Sequence, residues 1–277
     1  MFSARTCSGY ELRLPYSFNG YEVLENISQG SFSTVIKVQD EFSKRFFAAK
    51  IFSTKELEDQ NQRKLISNEV EILRSLSHPN IVKFYEMFKI FNDDNEEFIV
   101  IIEEYCPKGC LLDYMNNFGF KNDMEKKKVQ VGLVNAIKYL HEQGIAHCDI
   151  KPENVLLDIN CNPKLCDFGF SKNFNKTFDE IKCGSIDYAA PELFKDGSVD
   201  FFKSDIWSLG ITLFAMSEMR FPFNDVRDVI NGRLSIRTND EKLEKIVKKC
   251  TKLNPKKRPN AEEILNDEYF SLSKEET

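Results

Sequence analysis

The chain has 277 residues, of which 30% are charged and 42% hydrophobic, and its formal net charge is −6. This length suits one large domain or two smaller ones, and the composition is typical of globular proteins. The acidic balance argues against a nucleic-acid-binding protein, which usually carries a basic excess. The eight cysteines form no paired CxxC knuckles, so neither a zinc ribbon nor a disulfide framework is predicted. Because no apolar run resembles a signal peptide or a membrane span, we expect an intracellular protein, cytoplasmic or nuclear.

The first part of the chain carries strand patterns around one helix. Residues 1–20 show no clear period and are expected to be an N-terminal extension, either a tail or a first strand. Strands are predicted between residues 21 and 38 and over 46–51, 81–88 and 98–102. A helix is predicted over 55–76, because Ile66, Leu73 and Leu76 recur at helical spacing.

Glu69 shares the apolar stripe of this predicted helix, whereas Glu71 faces away from it. A carboxylate on a buried stripe needs a cation. Lys50 lies in the middle of an apolar strand and is the natural partner. We therefore predict an ion pair between Lys50 and Glu69.

Helices dominate after Pro107-Lys108-Gly109, where the sequence pattern changes. They are predicted over 111–118, 124–143 and 204–219, with amphipathic helix from 231 to about 270. The helix over 204–219 is apolar on all sides, which is typical of a helix at the centre of a domain. The fold class is therefore α+β, with a small strand-rich lobe, a hinge near residue 105 and a larger helical lobe.

The segment 147–154 brings together an acid, a base and an amide, at Asp149, Lys151 and Asn154. An apolar run over 155–157 follows, and then a second acid, Asp167. This spacing predicts a short hairpin that holds both carboxylates over one pocket. Such groups can position a hydroxyl, a phosphoryl group and a divalent metal. The structural alternative is that the carboxylates only cap turns.

Taken together, these motifs resemble the eukaryotic protein kinase family over roughly residues 21–270. The motifs that carry the resemblance are Ala48-Ala49-Lys50, Glu69, His78-Pro79-Asn80, His147-Cys148-Asp149, Asp167-Phe168-Gly169, Ala190-Pro191-Glu192, Asp205, Trp207 and Arg258. Lys151 resembles the residue that the Ser/Thr branch of the family has at this position. The sequence of residues 183–192 resembles the corresponding segment of the calmodulin-dependent and AMP-activated kinase group. The resemblance implies a two-lobed kinase fold, with an N-lobe over about 21–105, a C-lobe over about 106–270 and a C-terminal tail at 271–277. It also implies a bare catalytic domain without an appended regulatory module.

The resemblance further implies Mg²⁺-dependent transfer of the γ-phosphoryl group of ATP to Ser or Thr hydroxyls of protein substrates. Asp149 would orient the hydroxyl, Lys151 would balance charge on the moving phosphoryl group, and Asn154 and Asp167 would hold Mg²⁺. The residues implied to bind ATP are Ile27, Ser28, Gln29, Gly30, Ser31, Phe32, Ser33, Thr34, Val35, Ala48, Lys50, Glu69, Glu104, Cys106 and Leu156. A monomer is expected, with no nucleic-acid or membrane partner.

The nucleotide-binding region departs from the family pattern in two places. The glycine-rich loop keeps only Gly30, because Ser28 and Ser33 replace the outer glycines. Weaker nucleotide binding is one expected consequence, since each serine has less backbone freedom. Glu103 falls at the gatekeeper position, where the family usually has an apolar residue or Thr. Either the back wall of the pocket is acidic or the register slips by one residue.

The control region departs in two further places. Cys148 replaces the arginine that normally docks a phosphorylated activation loop. Ile181 stands where many relatives have the acceptor Thr, which leaves Thr177 as the one Thr of the loop. The hypothesis is that activity does not need activation-loop phosphorylation.

Two other functions compete with the active protein kinase. A pseudokinase, which binds nucleotide or acts as a scaffold, is favoured by the lost glycines and Cys148 but opposed by intact Lys50, Asp149 and Asp167. A small-molecule kinase is opposed by residues 190–192, which match the family's peptide-binding shelf.

Overall fold

The computed structural model describes residues 2–5, 11–30, 33–57, 60–176 and 185–270. The chain divides into two compact units. The first consists of Met1–Ser77 with Val82–Pro107, and the second of His78–Ile81 with Lys108–Thr277. The predicted change from strands to helices near residue 105 lies close to this boundary.

A β-hairpin opens the first unit, formed by β1 (Phe2–Arg5) and β2 (Glu11–Leu14). Leu12 and Leu14 are fully buried in one apolar cluster with Ile36. The side-chain amide of Asn92 donates a hydrogen bond to the carbonyl oxygen of Arg13 at 3.1 Å, which ties the hairpin to the sheet that follows. Part of the region expected to be an extension without a clear period is therefore paired strand. Through this hydrogen bond, the acidic segment that begins at Asn92 also has a structural role.

The sheet of the first unit has six antiparallel strands. These are β3 (Ser17–Phe18), β4 (Tyr21–Gln29), β5 (Thr34–Asp40), β6 (Phe46–Ser53), β7 (Phe84–Phe91) and β8 (Glu97–Glu104). Their spatial order is β3-β4-β5-β6-β8-β7. The hairpin packs on the face that carries Ile36, because the two belong to one cluster.

Helix α1 (Gln60–Ser75) packs on the other face of this sheet. Its residues Ile66 and Val70 form one cluster with Ile101 of β8. Ile66, Glu69 and Val70 are buried while Glu71 is exposed, as the helical periodicity predicts. The helix is shorter than the predicted range 55–76, since residues 54–56 form a turn instead.

Strand β7 starts later than its predicted range of 81–88. Ile81 is buried but makes a parallel bridge to Leu165 of the second unit, instead of joining the sheet. The apolar residue Ile81 therefore indicates burial and not pairing in the sheet. The strand begins at Phe84.

Helices make up most of the second unit. They are α2 (Leu111–Asn117), α3 (Asp123–Glu142), α4 (Phe201–Glu218), α5 (Val226–Asn231), α6 (Glu241–Cys250) and α7 (Ala261–Leu265). The predicted helices over 111–118, 124–143 and 204–219 are confirmed to within three residues. Helix α4 is buried along nearly its whole length, and Gly210 allows its close approach to α6. A Cβ atom at Gly210 would lie 2.6 Å from the Cβ of Cys250.

Two short antiparallel pairs lie between these helices. Strand β9 (Ile145–Ala146) pairs with β12 (Lys172–Asn173), and β10 (Val155–Leu157) pairs with β11 (Pro163–Leu165). The β10–β11 pair confirms the hairpin predicted after residue 154. Among the described residues, no helix has the length and apolarity that crossing a bilayer requires.

Candidate active site

Lys50 and Glu69 form the predicted ion pair within the first unit. The ammonium of Lys50 lies 2.6 and 2.9 Å from the two carboxylate oxygens of Glu69. Their side chains are only 15% and 4% exposed, so the charges compensate each other in a poorly solvated place. Strand β6 and helix α1 thus hold a fixed ammonium on one face of the sheet.

Glu103 lies on the same sheet face as Lys50. It pairs across the strands with Ala48, and Lys50 pairs with Ile101, which faces α1. Cross-strand partners and alternate residues share a face, so all four side chains lie on the helix side of the sheet. Glu104 pairs with Phe47 of the opposite face. The buried carboxylate is that of Glu103, which favours the acidic wall over a one-residue slip.

Strands β4 and β5, with the segment that joins them, carry most of the residues implied to bind ATP. The backbone N–H of Gly30 donates to the carbonyl oxygen of Ser33 at 2.7 Å. A Cβ atom at residue 30 would lie 2.9 Å from the Ser33 hydroxyl oxygen, so the remaining glycine sits at a close approach. Val35 pairs with Lys50 and shares its sheet face. Ile27, Ser28, Gln29 and Thr34 lie in the flanking strands, and Ser31 and Phe32 fall outside the described residues.

The other residues implied to bind nucleotide lie in two places. Ala48 is buried in β6, and Glu104 ends β8, where its N–H donates to the carbonyl oxygen of Lys83 at 2.9 Å. Cys106 is buried just beyond β8. Leu156 is half-buried in β10 of the second unit.

Asp149 is the centre of a compact polar cluster in the second unit. One carboxylate oxygen accepts a hydrogen bond from the N–H of Ser185 at 2.9 Å. The other lies 2.8 Å from the ammonium of Lys151 and 2.8 Å from the amide nitrogen of Asn154. Lys151 also donates to the hydroxyl of Ser185 at 2.6 Å. The three predicted catalytic residues are therefore brought together, and Ser185 joins them.

Asp205 of α4 holds the backbone that leads into this cluster. Its carboxylate accepts hydrogen bonds from the N–H groups of His147 and Cys148, each at 2.8 Å, and lies 3.0 Å from a ring nitrogen of His141. Cys148 has a left-handed backbone with φ of 66°, which these bonds stabilise. The sequence feature that indicates this role for Asp205 is a single carboxylate within an apolar helix, because a buried charge needs several hydrogen-bond donors.

Asn154 and Asp167 are joined through the β10–β11 hairpin. The N–H of Cys166 donates to the carbonyl oxygen of Asn154 at 2.9 Å. Asp167 has a left-handed backbone with φ of 63°, and the next residue, Phe168, is fully buried. The ring of Phe168 packs edge-on against His147 with centroids 4.9 Å apart. The hairpin and the buried ring of Phe168 therefore fix the backbone next to the two predicted metal ligands.

Glu192 and Arg258 also pair in the second unit, as the motifs predict. Two guanidinium nitrogens donate to the two carboxylate oxygens of Glu192 at 2.6 and 2.7 Å. A further bond at 2.8 Å joins Arg258 to the carbonyl oxygen of Lys203 at the start of α4. The segment after residue 185 is thus anchored to the helical core.

Comparison with known proteins supplies the family. The sequence model of one family, the protein kinase domain, matches residues 21–270 of the chain. The chain belongs to the protein kinase family. NUAK family SNF1-like kinase 1 of Homo sapiens is 33% identical to it over 253 residues. Serine/threonine-protein kinase kin-29 of Caenorhabditis elegans is 35% identical over 262 residues.

These relatives are longer than the kinase chain described here. The matches cover 89% and 91% of this chain but only 38% and 31% of the two relatives. They confirm the predicted family, its α+β kinase fold and the resemblance to Ser/Thr kinases of the AMP-activated group. Thr177, Ile181 and the segment through Gly184, on which the activation-loop hypothesis rests, lie outside the described residues.

Proposed function

We propose that the chain catalyses transfer of the γ-phosphoryl group of ATP to Ser or Thr hydroxyls of protein substrates. The observation that carries this proposal is the cluster of Asp149, Lys151 and Asn154, with contacts of 2.8 Å among their charged and amide groups. Phosphoryl transfer needs little covalent chemistry from the protein, so positioned acids, bases and amides supply most of what the reaction needs.

In this proposal each residue of the second unit has one task. Asp149 accepts the hydrogen bond of the substrate hydroxyl and takes its proton as the oxygen attacks. Lys151 neutralises charge that develops on the transferred group. The N–H of Ser185 donates to Asp149 and its hydroxyl accepts from Lys151, so Ser185 keeps the two residues in register. These contacts describe the cluster before substrate binds. When substrate binds, its hydroxyl replaces one of the groups that donate to the carboxylate of Asp149.

In the first unit, Lys50 is proposed to hold the α- and β-phosphates. Glu69 orients the Lys50 ammonium through two contacts, so the lysine side chain loses little freedom when it binds phosphate. Gly30 gives the backbone room to approach the phosphates. Val35 and Ala48, which share the face of Lys50, are proposed to pack against the adenine, and Leu156 of the second unit is kept as a separate proposed nucleotide-binding residue. The backbone of Glu104 and Cys106 would bind the edge of the adenine.

The residues present fit a magnesium ion. Asn154 turns its amide nitrogen towards the carbonyl and carboxylate oxygens of Asp149, at 2.9 and 2.8 Å, which leaves its amide oxygen on the other side. That oxygen and the carboxylate of Asp167 are hard oxygen ligands, the kind that Mg²⁺ prefers. When bound, the ion neutralises phosphate charge; Asn154 and Asp167 would hold it.

The principal alternative remains a pseudokinase. It is favoured by Cys148 and by the two serines in the glycine-rich loop, and opposed by the complete set of charged residues. We propose the active enzyme because Lys50 is paired with Glu69, and Asp149 with Lys151, as their proposed roles require. We further propose a monomeric, intracellular enzyme whose catalytic domain spans residues 21–270.

Radiolabelled transfer to a generic protein substrate tests the proposal. Asp149→Asn should lower the rate about 10²–10⁴-fold, the usual contribution of a positioned base. Asp123→Asn, which changes an exposed carboxylate at the start of α3, is the matched control and should keep full activity. Equal background transfer by wild type and Asp149→Asn would refute the enzyme.

Nucleotide binding separates the remaining alternatives. At ATP near 100 times its dissociation constant, with Mg²⁺, the folded protein should gain about 2.7 kcal/mol of stability. Lys50→Met should lose most of the corresponding rise in melting temperature. A shift without transfer would identify a nucleotide-binding pseudokinase, and the absence of both would identify a scaffold.

We also propose that activity does not depend on activation-loop phosphorylation. The side chain at position 148 is a thiol whose sulfur lies 3.7 Å from the carbonyl oxygen of Ala146, and a neutral thiol supplies no positive charge to dock a phosphate. Phosphatase treatment, followed by intact mass to verify dephosphorylation, should leave the rate of transfer unchanged. Loss of activity after this treatment would overturn the proposal.

A further inference from the structure

Lys108 and Cys161 form an unusually close pair outside the proposed active site. The ammonium nitrogen of Lys108 lies 2.6 Å from the sulfur of Cys161. Reacting atoms held about 3–3.5 Å apart are already positioned for bond formation. The two side chains are therefore within reacting distance of each other.

Cys161 is held in place by the turn between β10 and β11. The N–H groups of Asn160 and Asn162 each donate to one carboxylate oxygen of Asp158 at 2.8 Å. The N–H of Cys161 donates to the carbonyl oxygen of Asp158 at 3.1 Å. With φ of 57°, Cys161 takes a left-handed conformation, and its side chain is directed inward, where the residue is only 2% exposed. The thiol is thus fixed by the backbone.

Lys108 is fixed from the other side of the same hairpin. Its N–H donates to the carbonyl oxygen of Leu157 at 3.2 Å, and the N–H of Leu157 donates to that of Gly109 at 2.9 Å. The ammonium lies 5.5 Å from the ring centre of Tyr114, whose hydroxyl is 3.6 Å from the Cys161 sulfur. Tyr114 therefore lies beside both members of the pair.

We propose that Lys108 and Cys161 are a site of oxidative modification, at which peroxide links the two side chains through a sulfur–nitrogen bond. Hydrogen peroxide first oxidises the Cys161 thiol to a sulfenic acid and is reduced to water. The neutral amine of Lys108 then attacks that sulfur, the S–N bond forms, the S–O bond breaks, and a second water leaves. Sulfenic acids condense with nitrogen nucleophiles in this way. Two molecules of an external thiol reverse the bond, returning amine and thiol and forming a disulfide of their own.

Access and rate both favour this reaction. Peroxide is little larger than water, and Ile159 and Asn160 beside Cys161 are exposed, so local opening of one turn admits it. Effective molarities of oriented groups reach about 10⁵ M or more, so the amine outcompetes a millimolar external trap for the sulfenic acid. The product would tie residue 108 to the hairpin that joins Asn154 to Asp167.

Peptide mapping after peroxide treatment of the full chain tests the proposal without any measurement of activity. We expect a cross-linked tryptic species that joins the peptides of Lys108 and Cys161, is two hydrogen atoms lighter than their sum and is uncut after Lys108. Excess thiol should restore both peptides. Failure of kinase activity would not affect this outcome, so the two proposals are tested separately.

Two variants and one reference cysteine make the test selective, and melting curves confirm that each variant folds. Cys161→Ser should abolish the cross-link. Lys108→Arg keeps the charge but removes the amine, so the sulfenic acid should persist and react with dimedone far more than in the wild type. Cys110, whose sulfur lies 3.2 Å from a carboxylate oxygen of Asp113 and so contacts an acid instead of an amine, should react with dimedone equally in both proteins. Equal dimedone labelling of Cys161 in wild type and Lys108→Arg, or a cross-link that retains oxygen, would overturn the proposal.

Discussion

Replacing Glu192 tests whether the buried charge of Arg258 depends on one carboxylate. The Arg258 side chain is 0% exposed and donates two bonds to Glu192, at 2.6 and 2.7 Å. Its other bonds reach the carbonyl oxygens of Lys252 and Lys203, each at 2.8 Å. In Glu192→Ala these carbonyl contacts remain, but the guanidinium loses its opposite charge while still buried.

The size of the effect follows from this geometry. Breaking a buried ion pair by removing one partner costs about 3–5 kcal/mol, because the other charge stays uncompensated. For a domain of 150–250 residues each kcal/mol lowers Tm by about 2–4 °C, so a fall of roughly 10 °C is expected. Glu192→Gln keeps the shape and one oxygen acceptor, and should lose about 1–3 kcal/mol.

Urea unfolding followed by tryptophan fluorescence is the appropriate assay. Trp207 is the single tryptophan of the chain, and its ring centre lies 5.0 Å from the guanidinium carbon of Arg258. The midpoint should fall while the slope stays constant. Glu268→Ala, which breaks an exposed ion pair with Lys245, is the control and should change stability by less than about 1 kcal/mol. Equal midpoints for Glu192→Ala and wild type would refute the reasoning.

Three further predictions concern the second unit. Asp205→Asn replaces one charged acceptor of the loop donors by an amide NH₂, and should cost about 1–3 kcal/mol in urea unfolding and slow phosphoryl transfer. Burial lowers the pKa of Lys127 to about 8, so the folded state releases this proton before the unfolded chain does. Below that pH both states are protonated, and above it the wild type should gain stability until the ordinary lysine pKa is reached, whereas Lys127→Met should show no such gain. Asp200→Ala removes the N-cap that accepts a hydrogen bond from the Lys203 N–H at 3.1 Å, and should cost about 1 kcal/mol in urea unfolding.

Each of these predictions has a control. Wild-type stability and transfer rate in Asp205→Asn would show that the loop does not depend on that carboxylate. Parallel melting temperatures of wild type and Lys127→Met from neutral to alkaline pH would contradict the titration of Lys127. Asp200→Ser restores a capping oxygen and should recover stability; if it does not, the loss in Asp200→Ala has another cause.

Local periodicity predicts the elements that bury one face. Helix α1 follows from the spacing of Ile66 and Leu73, and its ion pair follows from the position of Glu69 on the same stripe. The β10–β11 hairpin follows because two acidic sites flank an apolar run. In these cases the signal lies within a few residues of the element it predicts.

Features that depend on distant contacts were missed or misplaced. Ile81 is apolar because the second unit buries it, so the sequence pattern places the strand too early. Ser185 joins the catalytic cluster through a contact across 36 positions with Asp149, which no local pattern encodes. For the start of the chain the sequence left a tail and a first strand both open, because Leu12 and Leu14 alternate with polar residues but two such positions are too few to predict a hairpin.

That N-terminal hairpin has a practical consequence for work on the kinase domain. The family match begins at residue 21, yet Leu12 and Leu14 are fully buried among residues of the sheet. A fragment trimmed to the match would uncover the apolar side chains around Ile36, and a patch of this kind promotes aggregation. Boundaries for expression should therefore include the hairpin, which behaves as part of the hydrophobic core although it lies outside the residues that the family model matches.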